Sequence, residues 1–165
     1  MGFLGSDGFR FDGDKGILQY LAQNRSLLKN RPQSFRHGDY SIWNTIITAA
    51  GTPVIIDWEA DDFGNFGDPW LDFVDVIWSA SISPNFASGI IYGYFDGNPP
   101  EAFWPAVMYY TFMGVMISIQ AISKSRPGEV RREIDYCKMA LGWFDHMQTP
   151  VPTWYQGCSA PPTAP

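Results

Sequence analysis

Residues 37–57 constrain this chain more than any other stretch. A polar loop, "HGDYSIWN", runs into the β-branched segment "NTIIT"; "AAGT" then supplies a glycine for a tight turn, and "PVIIDW" returns as a second short strand. Two such runs read as a β-hairpin. Its far end delivers Asp57 beside the start of the near strand, so Asp39, Asn44 and Asp57 are expected to meet in space.

Around the hairpin the pattern is helical. Residues 17–29, "ILQYLAQNRSLLK", place Ile17, Leu18, Leu21, Leu27 and Leu28 on one face, and Asn30, Arg31 and Pro32 end the run. "EADDFGNFG" has no periodicity and reads as a loop. Asp68 before Pro69 is a helix start, and "PWLDFVDVIWSA" continues it with Trp70, Phe73, Val74, Ile77 and Trp78 as an apolar stripe. Ser83 before Pro84 starts the next helix, through "NFASGIIYGYF", which "DGNPPE" breaks. The run "PAVMYYTFMGVMISIQAI" falls short of the ~20 apolar residues a bilayer needs. It also carries Thr111, Gly114, Ser118 and Gln120, so it reads as a buried central helix reaching about Ser123.

After "RPGE", the segment "EVRREIDYCKMALGWFDHM" sets Val130, Ile134, Cys137, Leu141 and Phe144 at helical spacing. The proline-rich tail has no regular pattern, although the aromatics of "VPTWY" are expected to pack on the body. The expected fold is mainly α with a small β-hairpin, an α+β arrangement. A flexible leader covers 1–16, one lobe 17–157 and a disordered tail 158–165.

Composition narrows the partners. With 165 residues, 45% hydrophobic and 16% aromatic, the chain can bury a substantial core. A net charge of −6 argues against nucleic acid or an anionic membrane and suits a cationic small molecule. Cys137 and Cys158 form no metal-like spacing and no disulfide framework, which points to a reducing, cytoplasmic setting. The N-terminus lacks a signal-peptide run; "MGFLGS" has the shape of a myristoylation signal, at Gly2 and Ser6, but so short a motif often matches by chance.

The loop and hairpin carry a specific chemistry. Phosphoryl transfer from MgATP requires a carboxylate to orient and deprotonate the attacking hydroxyl, and oxygen ligands for Mg²⁺. Asp39, then Asn44 five residues later, then Asp57 at a strand end supply those groups in order. A lone "HGD" is explained as well by an ordinary turn. His146, near a helix C-terminus, is explained by the helix dipole and needs no role.

Taken together, "FRHGDYSIWNTII" and "VIIDWEADDFGNFGDPWLDF" resemble the C-terminal lobe of the aminoglycoside phosphotransferase family, which has the protein-kinase-like fold and includes choline and homoserine kinase relatives. The resemblance runs from about residue 17 to Trp154. It implies Asp39 as the catalytic base, Asn44 and Asp57 as ligands of Mg²⁺ and through it ATP, and His37 and Gly38 as shapers of the loop. Asp68 is then structural, holding the loop or capping the helix. Glu59, Asp61 and Asp62, and later Asp96 and Glu101, could meet a cationic or hydroxylated small-molecule substrate, although solvated surface acids are the simpler reading of these five. An aminoglycoside acceptor would place the activity in antibiotic resistance.

The chain departs from the family at Ser41, where many members have a second histidine, and at Trp43, commonly a small residue. Neither is a chemical position. The larger departure is upstream: only about 36 residues precede the motif, and Lys15 and Lys29 lie in no strand-like run. A C-lobe without its nucleotide lobe is therefore expected, as a truncated or partial phosphotransferase. The alternative is a catalytically inactive lobe that binds a ligand or a protein partner. Apolar surface left open on the hairpin, including Trp43 and Trp58, would favour self-association.

Overall fold

The computed structural model describes residues 10–58 and 66–157. Helices dominate: α1 (Asp14–Gln23), α2 (Phe73–Ser79), α3 (Pro84–Phe95), α4 (Phe103–Ser125) and α5 (Val130–Trp143). Among the described residues the strands form two antiparallel pairs. β1 (Ser34–Phe35) pairs with β4 (Phe66–Gly67), and β2 (Thr45–Ile47) pairs with β3 (Pro53–Ile55). The second pair is the hairpin expected from the sequence, in the register Thr45↔Ile55, Ile46↔Val54 and Ile47↔Pro53. Its turn closes by Gly51 N–H donating to the Thr48 carbonyl at 2.9 Å, with Gly51 at φ +77°, a conformation that glycine adopts without steric penalty.

Chain contacts gather into two compact units. One comprises residues 28–107 with the segment that begins at Trp154; the other comprises the N-terminal residues through Leu27 with 108–153. The first unit has an aromatic core. Phe103 meets Phe73, Phe95 and Trp70 edge to face, at centroid distances of 5.1, 4.9 and 5.3 Å. Such pairs contribute about 0.5–1.5 kcal/mol each beyond area burial. The tail joins this core through Tyr155, whose ring lies 4.6 Å from that of Trp104.

Local signals explain the helix starts in this unit. Ser83 Oγ accepts the Phe86 N–H at 3.2 Å and Pro84 opens α3. The helix expected after Pro69 begins instead as a 3-10 turn over Pro69–Asp72, and α2 proper starts at Phe73. Its fully buried line is Phe73, Val76 and Ile77, with Val74 and Trp78 half-buried. The hairpin leaves apolar side chains in solvent: Trp43 is 76% exposed and Trp58 54%.

In the second unit Ile17, Phe112, Ile119, Cys137 and Phe144 are fully buried, and Phe112 packs on Phe144 at 5.6 Å. Burial, with a smaller contribution from the Asp14 charge, pushes the Cys137 thiol up to about 12, so it stays a protonated core residue. α1 starts before the periodic run because Asp14 is gripped by the Arg10 guanidinium and accepts the Phe11 N–H at 3.3 Å. The Arg10 hydrogen bond holds the Asp14 carboxyl below its ordinary value against the cost of burial. α1 ends at Gln23, where the Asn24 side chain donates to the Tyr20 carbonyl at 2.9 Å; Arg25–Leu28 follows as a 3-10 turn.

α4, 23 residues long, is long and apolar enough to cross a membrane. A core helix passes the same test, and here Phe103, Val107, Met108, Phe112, Met116 and Ile119 are all buried within the molecule.

Beyond α5 the backbone turns left-handed at three consecutive non-glycine residues, Asp145 (φ +45°), His146 (+50°) and Met147 (+74°). Each such L-residue costs roughly 1–2 kcal/mol. His146 is exposed, with φ 50° and ψ 44°, so His146→Gly removes the strain and loses little packing. After allowing for the larger unfolded-state entropy of glycine, a gain of about 0.5–1 kcal/mol is expected in urea unfolding. Unchanged or lower stability would show that the turn is not strained.

Candidate active site

The loop from His37 to Asn44 is held by hydrogen bonds along its length. Asn44 Nδ2 donates both to the Asp39 carbonyl at 2.9 Å and to Asp39 Oδ2 at 2.8 Å. This closes the five-residue arc and orients the carboxylate. Asn44 is buried, and both donations are made by its Nδ2.

His37 ties the loop to the hairpin. Its Nδ1 accepts the Asp39 N–H at 3.2 Å, which leaves the proton on Nε2, and Nε2 donates to the Ile56 carbonyl at 2.9 Å. Ile56 N–H in turn donates to the Asn44 carbonyl at 3.0 Å. The residue preceding Asp57 is thus bonded to both ends of the loop. Asp57 follows directly, exposed, with φ +60°, a left-handed geometry that tends to be retained where surrounding structure fixes it. Gly38, at φ +90°, allows the sharp turn before Asp39.

Two residues on the helical side complete the frame, and the sequence reading passed over both. Asp72 accepts the His37 N–H through Oδ2 at 2.8 Å and the Gly38 N–H through Oδ1 at 3.1 Å. Ser79 Oγ accepts the Ile42 N–H at 3.0 Å while donating to the Asp75 carbonyl at 2.9 Å. The loop is therefore pinned at both ends by one short helical stretch. Asp72 sits where helical periodicity assigns a solvent-facing acid; the one available signal was its place four residues after the Asp-Pro start. Burial, reinforced by the Asp72 charge, raises the Tyr40 phenol. Tyr40 therefore stays neutral beside His37, 5.8 Å away between ring centroids.

Asp68 caps the start of this stretch. It accepts the Trp70 N–H at 3.0 Å and a bidentate pair from Arg31, at 2.5 Å from Nε and 3.0 Å from NH2. The Arg31 guanidinium also lies 3.5 Å over the Trp70 ring. Asp96 occupies the left-handed cap of α3, and Glu101 is exposed in the following turn. Glu59, Asp61 and Asp62 lie outside the described residues, as do the first nine residues and Cys158 onward.

Among the described residues no group of three or more His, Cys, Asp or Glu side chains could hold a metal ion. The oxygen donors present, the Asn44 amide and the Asp57 carboxylate, are the hard type that Mg²⁺ takes, commonly with water and phosphate oxygens completing its shell. By donor chemistry they fit.

Comparison with known proteins bears on the family and the fold. The profile of the phosphotransferase enzyme family (APH) matches residues 10–104, more than half of the chain. A crystal structure of a choline/ethanolamine kinase family protein from Mesorhizobium loti is similar in fold, with a TM-score of 0.60 at 16% identity. The similarity covers 86% of this chain and 51% of that one, so the chain spans about half the length of its solved neighbour. No curated protein matches in sequence. The mostly helical fold, the pinned His-Gly-Asp loop and the family match together show that this chain belongs to the phosphotransferase enzyme family, with its protein-kinase-like fold.

Proposed function

We propose that the chain forms the C-terminal lobe of an ATP-dependent small-molecule kinase, and that Asp39 is its catalytic base. The observation that carries this is the double donation from Asn44 Nδ2, which fixes Asp39 Oδ2 and leaves Oδ1 to meet a hydroxyl. In the transfer, the acceptor oxygen attacks the γ-phosphorus and the bond to the bridging oxygen of ADP breaks. The hydroxyl proton passes to Asp39. Asn44 and Asp57 would hold Mg²⁺, whose role is to neutralise charge on the phosphate oxygens. His37 and Gly38 shape the loop, and Asp68 supports the helix start.

The acceptor fits best as a hydroxyl on a molecule that also carries an ammonium group, as aminoglycosides and amino alcohols both do. The net charge of −6 supports this, and the acids Glu59, Asp61 and Asp62 are candidates to meet the cation. The amino-alcohol arm also draws on the fold neighbour's family name, and the aminoglycoside arm carries a role in antibiotic resistance. A cytoplasmic location suits the ATP requirement.

A second reading, a lobe that binds a ligand without chemistry, is favoured by one observation. All four lysines lie off the strands: Lys15 on α1, Lys29 after the 3-10 turn, Lys124 on α4 and Lys138 on α5. Within these 165 residues no lysine lies on a strand, the position from which a kinase lysine contacts nucleotide phosphates. Phosphorus NMR of the chain with ATP, Mg²⁺ and an aminoglycoside or amino alcohol separates the two. A new phosphomonoester resonance supports the kinase reading; unconsumed ATP with every acceptor supports the binding module.

A further inference from the structure

We infer that Arg36 is a positioning residue, its guanidinium seated on Gly67 to orient the Asp72 carboxylate that pins the His37–Gly38 backbone. The inference rests on the proposed phosphotransfer for its meaning, while its geometry stands by itself.

Arg36 is the link between β1 and the loop. Its side chain is 19% exposed, and NH1 lies 3.7 Å from Asp72 Oδ1. That is an ion pair longer than a hydrogen bond, and the difference matters. Both Asp72 oxygens already accept backbone N–H groups, at 2.8 and 3.1 Å. A guanidinium bonded bidentately would compete for those oxygens. One held at 3.7 Å attracts the carboxylate while leaving its bonds to the loop intact.

Gly67 makes room for Arg36 there. A Cβ at this position would fall 2.8 Å from Arg36 Nε, 3.4 Å from Cδ and 3.5 Å from Cζ, so the side chain passes the glycine more closely than any other residue would allow. The register Ser34↔Gly67 sets this contact, because the β1–β4 pair ends beside Arg36. The arrangement has a cost: Nε is buried and has no hydrogen-bond partner among the described residues. A side chain placed only for stability would be expected to satisfy that donor. Here its placement serves the face turned to Asp72, which links β4, Arg36, Asp72 and the catalytic loop in one chain of contacts.

The test uses amide hydrogen exchange on the full chain, with Arg36→Met, Arg36→Lys and Gly67→Ala. Arg36→Met keeps the apolar stem and removes the charge. Exchange at the His37 and Gly38 amides is expected to rise at least tenfold, while the Val76 and Ile77 amides of α2 stay as in the parent. Arg36→Lys is expected to recover part of the protection, because it restores the charge without the guanidinium. Gly67→Ala is expected to reproduce the Arg36→Met pattern by displacing the guanidinium. Unchanged protection at His37 and Gly38 in Arg36→Met would overturn the inference, and so would a uniform rise that includes α2. Where phosphotransfer is measurable, kcat should fall with the acceptor KM unchanged. Absence of any phosphotransfer in the parent would defeat the kinase reading and leave the exchange result standing.

Discussion

Asp39→Asn is expected to lower phosphotransfer by about 10²–10⁴-fold, the range that a positioned general base supplies. This corresponds to about 2.7–5.4 kcal/mol of transition-state free energy. The substitution is chosen to spare the loop. An asparagine at 39 still offers an oxygen to Asn44 Nδ2, and its carbonyl still accepts the second donation, so the arc from 39 to 44 stays closed. What disappears is the ability to take a proton. Circular dichroism and the unfolding midpoint should therefore match the parent while turnover collapses. Turnover within threefold of the parent would remove Asp39 from the chemistry.

Asp72→Ala carries the second large effect, on stability. Two backbone N–H groups of the loop donate to this carboxylate, and hydrogen bonds to a charged group contribute about 1.5–3 kcal/mol each. Removing the acceptor leaves the His37 donor unmade in a partly buried setting and returns the exposed Gly38 donor to water. It also strips Arg36 of the carboxylate it pairs with among the described residues. A loss of about 2–3 kcal/mol in urea unfolding follows, with the loop amides exchanging fastest. Asp72→Asn offers a single oxygen and recovers at most one of the two bonds. A loss under 1 kcal/mol for the alanine variant would mean that the loop finds its geometry without the clamp.

The parts legible in the sequence were those set by local chemistry. "NTIIT", "AAGT" and "PVIIDW" encode a hairpin within fourteen or so residues, and the β2–β3 register follows from the short turn. Ser83-Pro84 and Asp68-Pro69 mark helix starts because a side-chain oxygen and a missing N–H act within one turn of chain. The stretch 105–122 reads as core because its polar residues are few and small.

What the sequence hid depends on partners far along the chain. The β1–β4 ladder joins two-residue segments that lie about thirty residues apart, too short for any alternation to register. Arg31 reads as a helix stop, yet it spans 37 positions to Asp68 and stacks over Trp70. Asp72 and Ser79 lie outside the apolar stripe that the sequence marks, and they hold the loop from there. The early start of α1 has the same origin, since Asp14 is fixed by Arg10, outside the periodic run.

The most direct test of the central claim is calorimetric titration of the intact chain with ATP, with and without Mg²⁺, in the parent and in Asp57→Ala. Asp57 is exposed at the end of the hairpin, so its truncation should leave the fold in place. The account predicts nucleotide binding that requires Mg²⁺ and falls at least tenfold in Asp57→Ala. Binding of equal strength without the metal, or untouched by the substitution, would contradict it.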